Sequence, residues 1–191
     1  MNNQTLNELL EKLNINEISN SALSLLDNSE TRYIKDLKVN LSKTLRSDNL
    51  DNKTNLLVAL SVAVNNKNNF LIYFFSNECK NNGATDEEIA EAVACASLLA
   101  ANNVFYRFRH FMNSEDYNKI PAGVKMNIMM NPVTGKKTFE LMSLVVSAVN
   151  GCEQCVTSHE ASLMKLGMSK EEVFEGVRTG SIVASLDRII F

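Results

Sequence analysis

One helix-start signal occurs twice in this chain, 84 residues apart, and it restricts the fold more than any other feature. Thr85 and Ser169 each stand three residues before a glutamate, Glu88 and Glu172. At that spacing two side chains satisfy free backbone amides at a helix N-terminus. A glycine precedes each signal, Gly83 and Gly167, where an earlier helix would end in the left-handed conformation that glycine tolerates. From there the copies run in step, with Glu87 and Glu88 against Glu171 and Glu172, Ile89 against Val173, Glu91 against Glu175 and Ser97 against Ser181. Upstream, an offset of 85 pairs Leu56 with Leu141 and Ala63-Val64-Asn65 with Ala148-Val149-Asn150, so the alignment requires a one-residue slip. Two copies of one helical unit is the simplest arrangement with this order of features.

Apolar spacing supports an all-α fold. Leu6, Leu9, Leu10 and Leu13 recur at helical intervals, as do Ile89, Val93, Ala96 and Leu99. Seven glycines and two prolines in 191 residues leave few breaks, and 45% apolar residues suffice for a sizeable core. A net charge of −3 with scattered basic residues excludes the electrostatic footprint of a nucleic-acid binder. The start, MNNQTLNELLEKLN, is polar with leucines at helical spacing, so no signal peptide is expected there. The longest apolar run, Leu56 to Val64, is under half of a membrane span, and no membrane partner is expected. Four cysteines are too few for a secreted disulfide scaffold, which makes a reducing cytoplasm the default location.

Reactive groups concentrate in NGCEQCVTSHE, residues 150–160, which holds Cys152, Cys155 and His159. Asn150 and Gly151 predict a break between a helix over about 137–149 and another from Cys152 toward Leu166. The cysteines then sit in the first turns of a helix, where free amides and the helix dipole favour a thiolate. Spacings of three and four put both thiols and the imidazole on one helix face, close enough for a disulfide in one oxidation state. In a helical hairpin, Glu140 lies roughly 15 Å back from the turn and His159 roughly 12 Å forward, so they finish at similar heights on facing helices. Glu140, His159 and Cys155 would form a base relay in which the carboxylate fixes the imidazole tautomer. The same four residues, Cys152, Cys155, His159 and Glu140, also fit a zinc-stabilised interaction module with no catalytic role. At the offset of 85 the first copy has Lys67, Phe70 and Phe74 opposite Cys152, Cys155 and His159, and Asn55 opposite Glu140. Packing alone therefore does not demand thiols or imidazole. Cys79 and Cys95 read as small buried residues, His110 as a packing or interface residue, and MNIMMN at 126–131 as core. The asparagine-rich stretches carry no motif.

ELMSLVVSAVNGCEQCVTSHE resembles the active-site segment of the alkylhydroperoxidase AhpD proteins, within the carboxymuconolactone decarboxylase-like superfamily. RYIKDLKVNLSKTL at 32–45, AANNVFYRFRHF at 100–111 and MNIMMNP at 126–132 extend the likeness over most of the chain from about residue 30. The resemblance implies an N-terminal helical extension over 1–30 and a two-repeat domain over 31–191. Its first repeat, about 31–115, is degenerate, and its second, about 116–191, is catalytic. It further implies a homotrimer that reduces alkyl hydroperoxides or regenerates an AhpC-type peroxiredoxin, with no bound cofactor and electrons from a dihydrolipoyl carrier protein. By position, Cys155 matches the thiol that attacks peroxide and Cys152 its resolving, proton-donating partner, while His159 and Glu140 match the proton relay. Some members have a histidine immediately before the second cysteine, where this chain has Gln154. Helix-start electrostatics alone favours Cys152 as the more acidic thiol, whereas the family pattern assigns attack to Cys155. Lactone decarboxylation occurs elsewhere in the superfamily and would need neither thiol.

Overall fold

The computed structural model describes residues 3–29 and 31–191. Among them are ten α-helices, one 3-10 turn and no strand. α1 (Gln4–Lys12), α2 (Ser21–Asp27) and α3 (Tyr33–Thr44) precede the first repeat unit of α4 (Asn52–Asn65), α5 (Asn69–Asn81) and α6 (Asp86–Met112). A short α7 (Glu115–Lys119) and the 3-10 turn at Asn127–Met129 lead to the second unit of α8 (Lys136–Val149), α9 (Glu153–Lys165) and α10 (Lys170–Asp187).

Each helix of the second unit begins 84 residues after its counterpart, so the slip expected between the two stretches does not exist. The register follows from the helix ends. Lys67 (φ 60°) and Gly151 (φ 69°) terminate α4 and α8 in the left-handed region, and Gly83 (φ 82°) and Gly167 (φ 75°) do the same for α5 and α9. At each end the next residue's N–H reaches five back, as in Asn68 to Ala63 and Cys152 to Ser147, the hydrogen-bond pattern that stops a helix and turns the chain. Both expected capping boxes are present, at Thr85 with Glu88 and Ser169 with Glu172. The counterparts of Glu140, Cys152, Cys155 and His159 are therefore Leu56, Asn68, Leu71 and Phe75, one residue beyond those expected at the offset of 85.

α4 and α8 are buried on nearly every side and form the centre, packed against each other and against α6 and α10. α10 comes close enough to α8 that a Cβ at Gly180 would lie 2.2 Å from Val145. Along α6 the buried stripe runs through Glu88, Glu91, Ala92, Cys95, Ala96, Leu99, Asn102 and Asn103. Val93, expected in that stripe, is instead 41% exposed. The 27 residues of α6 have the length and apolar content of a membrane span, unlike the run at 56–64; the buried face of α6 packs on α4, α8 and α9.

Two buried carboxylates tie the units together reciprocally. Glu91 on α6 accepts the N–H groups of Val133 and Thr134 at 2.7 Å, and the Thr134 hydroxyl at 2.6 Å, in the loop entering α8. Glu175 on α10, its counterpart, accepts from the Asp48 and Asn49 N–H groups and the Ser47 hydroxyl at 2.8 Å, and from Asn49 Nδ2 at 2.6 Å, in the loop entering α4.

In the segment expected as an N-terminal extension, α1 buries Leu6, Leu9 and Leu10 and packs on α3. Glu8 pairs with Lys38, and Asn20, which caps α2, donates to the Ile189 carbonyl at 3.0 Å. Met1, Asn2 and Glu30 of that segment lie outside the described residues.

Candidate active site

The break at Asn150 and Gly151 is held from both units. Asn150 Nδ2 donates to Asn65 Oδ1 at 3.0 Å and to Asn103 Oδ1 at 2.9 Å, and Asn65 Nδ2 donates back to Asn150 Oδ1 at 2.9 Å. Asn103 Nδ2 donates to Ser147 Oγ at 2.8 Å, and Arg107 Nη1 to the Asn150 carbonyl at 2.7 Å. The asparagines and the Arg107 of the 100–111 segment thus fix the turn that carries Cys152. Beyond the family resemblance of 100–111, sequence reasoning gave them no role, because their work is to satisfy a neighbouring helix end.

Cys152 is at once the residue after the α8 terminus and the N-cap of α9. Cys155 is the third residue of α9, in the turn whose free N–H groups stabilise negative charge. A disulfide joins the two, with their Cα atoms 5.3 Å apart. The hairpin brings Glu140 on α8 to His159 on α9, with Oε2 2.6 Å from Nδ1 and side-chain exposures of 18% and 12%. A carboxylate on Nδ1 leaves Nε2 as the basic ring nitrogen. All four expected residues therefore lie on one hairpin in two bonded pairs, the disulfide at the turn and the carboxylate–imidazole pair further along the helices. Among the described residues no group of three or more histidine, cysteine, aspartate or glutamate side chains is arranged to hold a metal ion.

Cys155 and His159 open onto a cavity of about 320 Å³ between α6, α9 and the 3-10 turn, whose other walls are Leu99, Asn102, Tyr106, Met126, Met129, Gln154 and Ser158. Cys155 is 7% exposed; Cys152, at 1%, does not line the cavity. Access thus favours Cys155, against the preference that helix-start electrostatics alone gives to Cys152. Met126 and Met129 were expected in the core. They are half-buried wall residues, and Met130 beside them is 73% exposed. Asn102, Tyr106 and Ser158 lie in the segments that carry the family resemblance but were given no role, since nothing local marks a side chain that faces a cavity built by other helices.

The remaining candidates stay apart. Burial pushes the Cys79 and Cys95 thiols up to about 12, so both stay protonated and unreactive. His110 is largely exposed, 3.7 Å from Glu153. The counterparts of the cavity residues Leu99, Asn102 and Tyr106 are Val183, Leu186 and Ile190 in the second unit, and those of Cys155 and His159 are Leu71 and Phe75 in the first. All five are buried members of the apolar core. The cavity exists in one copy because the other is filled.

Comparison with known proteins also finds the duplication. The model of the carboxymuconolactone decarboxylase family matches twice, at residues 37–112 and 115–190. The alkyl hydroperoxide reductase AhpD of Coxiella burnetii (strain Dugway 5J108-111) is 39% identical over 161 residues, covering 82% of this chain and 90% of that one. The protein of the same name from Rhodococcus erythropolis is 38% identical over 165 residues, covering 86% and 91%. That from Maricaulis maris is 36% identical over 171 residues, covering 88% and 97%. With an all-helical fold of two repeats and relatives matched over most of its length, the chain belongs to the alkylhydroperoxidase AhpD family, within the carboxymuconolactone decarboxylase superfamily.

Proposed function

We propose that the chain is a thiol peroxidase and disulfide reductase that cycles Cys152 and Cys155 between dithiol and disulfide. It reduces alkyl hydroperoxides, regenerates an AhpC-type peroxiredoxin, or both, with electrons from a dihydrolipoyl carrier protein. The observation that carries this reading is that Cys155 and His159 share a largely apolar cavity while Glu140 holds the imidazole from behind.

His159 removes the proton from the Cys155 thiol, directly or through one water, and Glu140 stabilises the imidazolium that results. The thiolate attacks the terminal peroxide oxygen: an S–O bond forms, the O–O bond breaks, and the alkoxide takes a proton from His159. The Cys155 sulfenic acid then condenses with the Cys152 thiol, releasing water and forming the disulfide. Two thiols of the dihydrolipoyl group reduce that disulfide through a mixed disulfide and are themselves oxidised to the lipoyl disulfide. Leu99, Tyr106, Met126 and Met129 suit the organic half of an alkyl hydroperoxide, which hydrogen peroxide lacks.

The lipoyl carrier, the peroxiredoxin and a homotrimeric assembly follow from the family resemblance. Phe108, Phe111 and Met112 on the outer part of α6 are exposed apolar surface that an assembly would cover, and the mass in solution tests it. Cys152→Ser leaves Cys155 without its resolving thiol, so it retains as a mixed disulfide whichever protein thiol reaches the site. Cys155→Ser is expected to abolish dihydrolipoamide-dependent peroxide turnover, and full turnover in that variant would overturn the assignment. Turnover of a lactone surviving loss of both thiols would place the chain with the decarboxylases instead.

A further inference from the structure

Asn102 is only 5% exposed on the cavity wall, and its Oδ1 is, among the described residues, the one buried side-chain nitrogen or oxygen without a hydrogen-bond partner. Its Nδ2 is engaged, donating to Met126 Sδ at 3.1 Å. A buried carbonyl without a donor costs about 1–3 kcal/mol, so an unpartnered one beside a thiol pair calls for a ligand that supplies the donor. The fold itself does not require an amide at this place. The counterpart of Asn102 in the second unit is Leu186, fully buried in the core.

We propose that Asn102 Oδ1 accepts a hydrogen bond from the terminal O–H of the hydroperoxide and so orients the peroxide for attack by Cys155. The assignment rests on the peroxidase reading above. A hydroperoxide carries its donor on the same oxygen that the sulfur attacks, so one hydrogen bond fixes the reacting atom. As the S–O bond forms and the O–O bond breaks, that oxygen passes to sulfur with its proton. The sulfenic acid O–H keeps the bond to Asn102, while the inner oxygen leaves as alkoxide and is protonated by His159. Asn102 is thus a substrate-positioning residue, and oxidants without an O–H gain nothing from it.

The test compares the reduced full-length protein with Asn102→Leu, which keeps the wall filled, and Asn102→Ala, which does not. Quench-flow thiol counting gives the second-order rate of oxidation by cumene hydroperoxide and, separately, by 4,4′-dithiodipyridine, which has no hydrogen-bond donor. The expected result is a loss of about five- to tenfold with the hydroperoxide in both variants, the range of one neutral hydrogen bond. The rate with the aromatic disulfide should be unchanged. Wild-type peroxide rates in either folded variant would overturn the assignment, as would an equal fall with both oxidants, which would mean that Asn102 acts on the thiolate. A wild-type protein that reacts with dithiodipyridine but with no hydroperoxide would overturn the peroxidase reading itself.

Discussion

Replacing Glu175 with glutamine keeps the side-chain shape but turns one of its two acceptors into a donor. Oε1 accepts from Ser47 Oγ and the Asp48 N–H, and Oε2 from the Asn49 N–H and Asn49 Nδ2. Whichever oxygen becomes an NH₂ group therefore faces two donors, one of them a backbone N–H. Orphaning that N–H costs about 1–3 kcal/mol, and losing the charge on the two surviving bonds adds about 1, for a total of about 3 kcal/mol. In a chain of this length that corresponds to a fall of roughly 6–12 °C in Tm, read by circular dichroism at neutral pH. Acid supplies a second signature. Burial alone would raise the Glu175 carboxyl, but the hydrogen bonds from Asp48, Asn49 and Ser47 outweigh it and hold the group below its ordinary 4.5. Because the folded state has the lower value, this stabilisation is complete above about 4.5 and disappears as the pH falls through the folded value. Glu175→Gln has no such charge to lose, so the gap between the two proteins should narrow on acidification. Equal Tm values at neutral pH, or a gap that stays constant well below 4.5, would refute the reasoning.

The other predictions concern the site and the helix ends. In the folded, reduced protein a disulfide reagent near pH 8 should react first at Cys155, with Cys152 following by displacing the reagent thiol from it, and all four cysteines should react in denaturant; a third fast thiol in the fold would contradict the burial of Cys79 and Cys95. His159→Gln should slow oxidation of Cys155 by about 10²-fold or more, and Glu140→Gln by about tenfold, in a quench-flow thiol assay. Unchanged rates in both would remove the relay. Lys67→Gly should raise stability to urea by about 1 kcal/mol and Gly151→Ala lower it by a similar amount, since both positions have positive φ.

What could be read from the sequence was whatever rests on local chemistry. Thr85 with Glu88, Ser169 with Glu172, and the glycines before them mark real helix boundaries. The hairpin estimate placed Glu140 beside His159 because helical rise is constant, and the observed helices differ from those expected by about one residue at their ends. The repeat register was misread for a physical reason. α4 is buried from Thr54 to Ala63 without a polar face, so sliding it by one residue produces no mismatch in hydrophobicity. The anchor that fixes the register is the left-handed turn at position 67, occupied by a lysine that gives no hint of it. Glu91 and Glu175 were aligned correctly, but their partners lie more than 40 and more than 120 residues away in loops with no periodicity. The role of Asn102 could not be read for the same reason: its meaning lies in what is missing around it in three dimensions.

The reciprocal carboxylate clamps have a consequence for how the molecule comes apart. Neither unit contains the residue that shapes its own entrance: the loop before α4 is fastened by α10, and the loop before α8 by α6. The two copies are thus interlocked like clasped hands, each finishing the other. Cut in the link between α6 and α7, the halves should behave as complementary fragments, each incompletely ordered alone and recovering a working thiol site only on recombination. A duplication built in this way cannot be undone by deleting the copy that lacks the cysteine pair, because each half holds the other's entrance in shape.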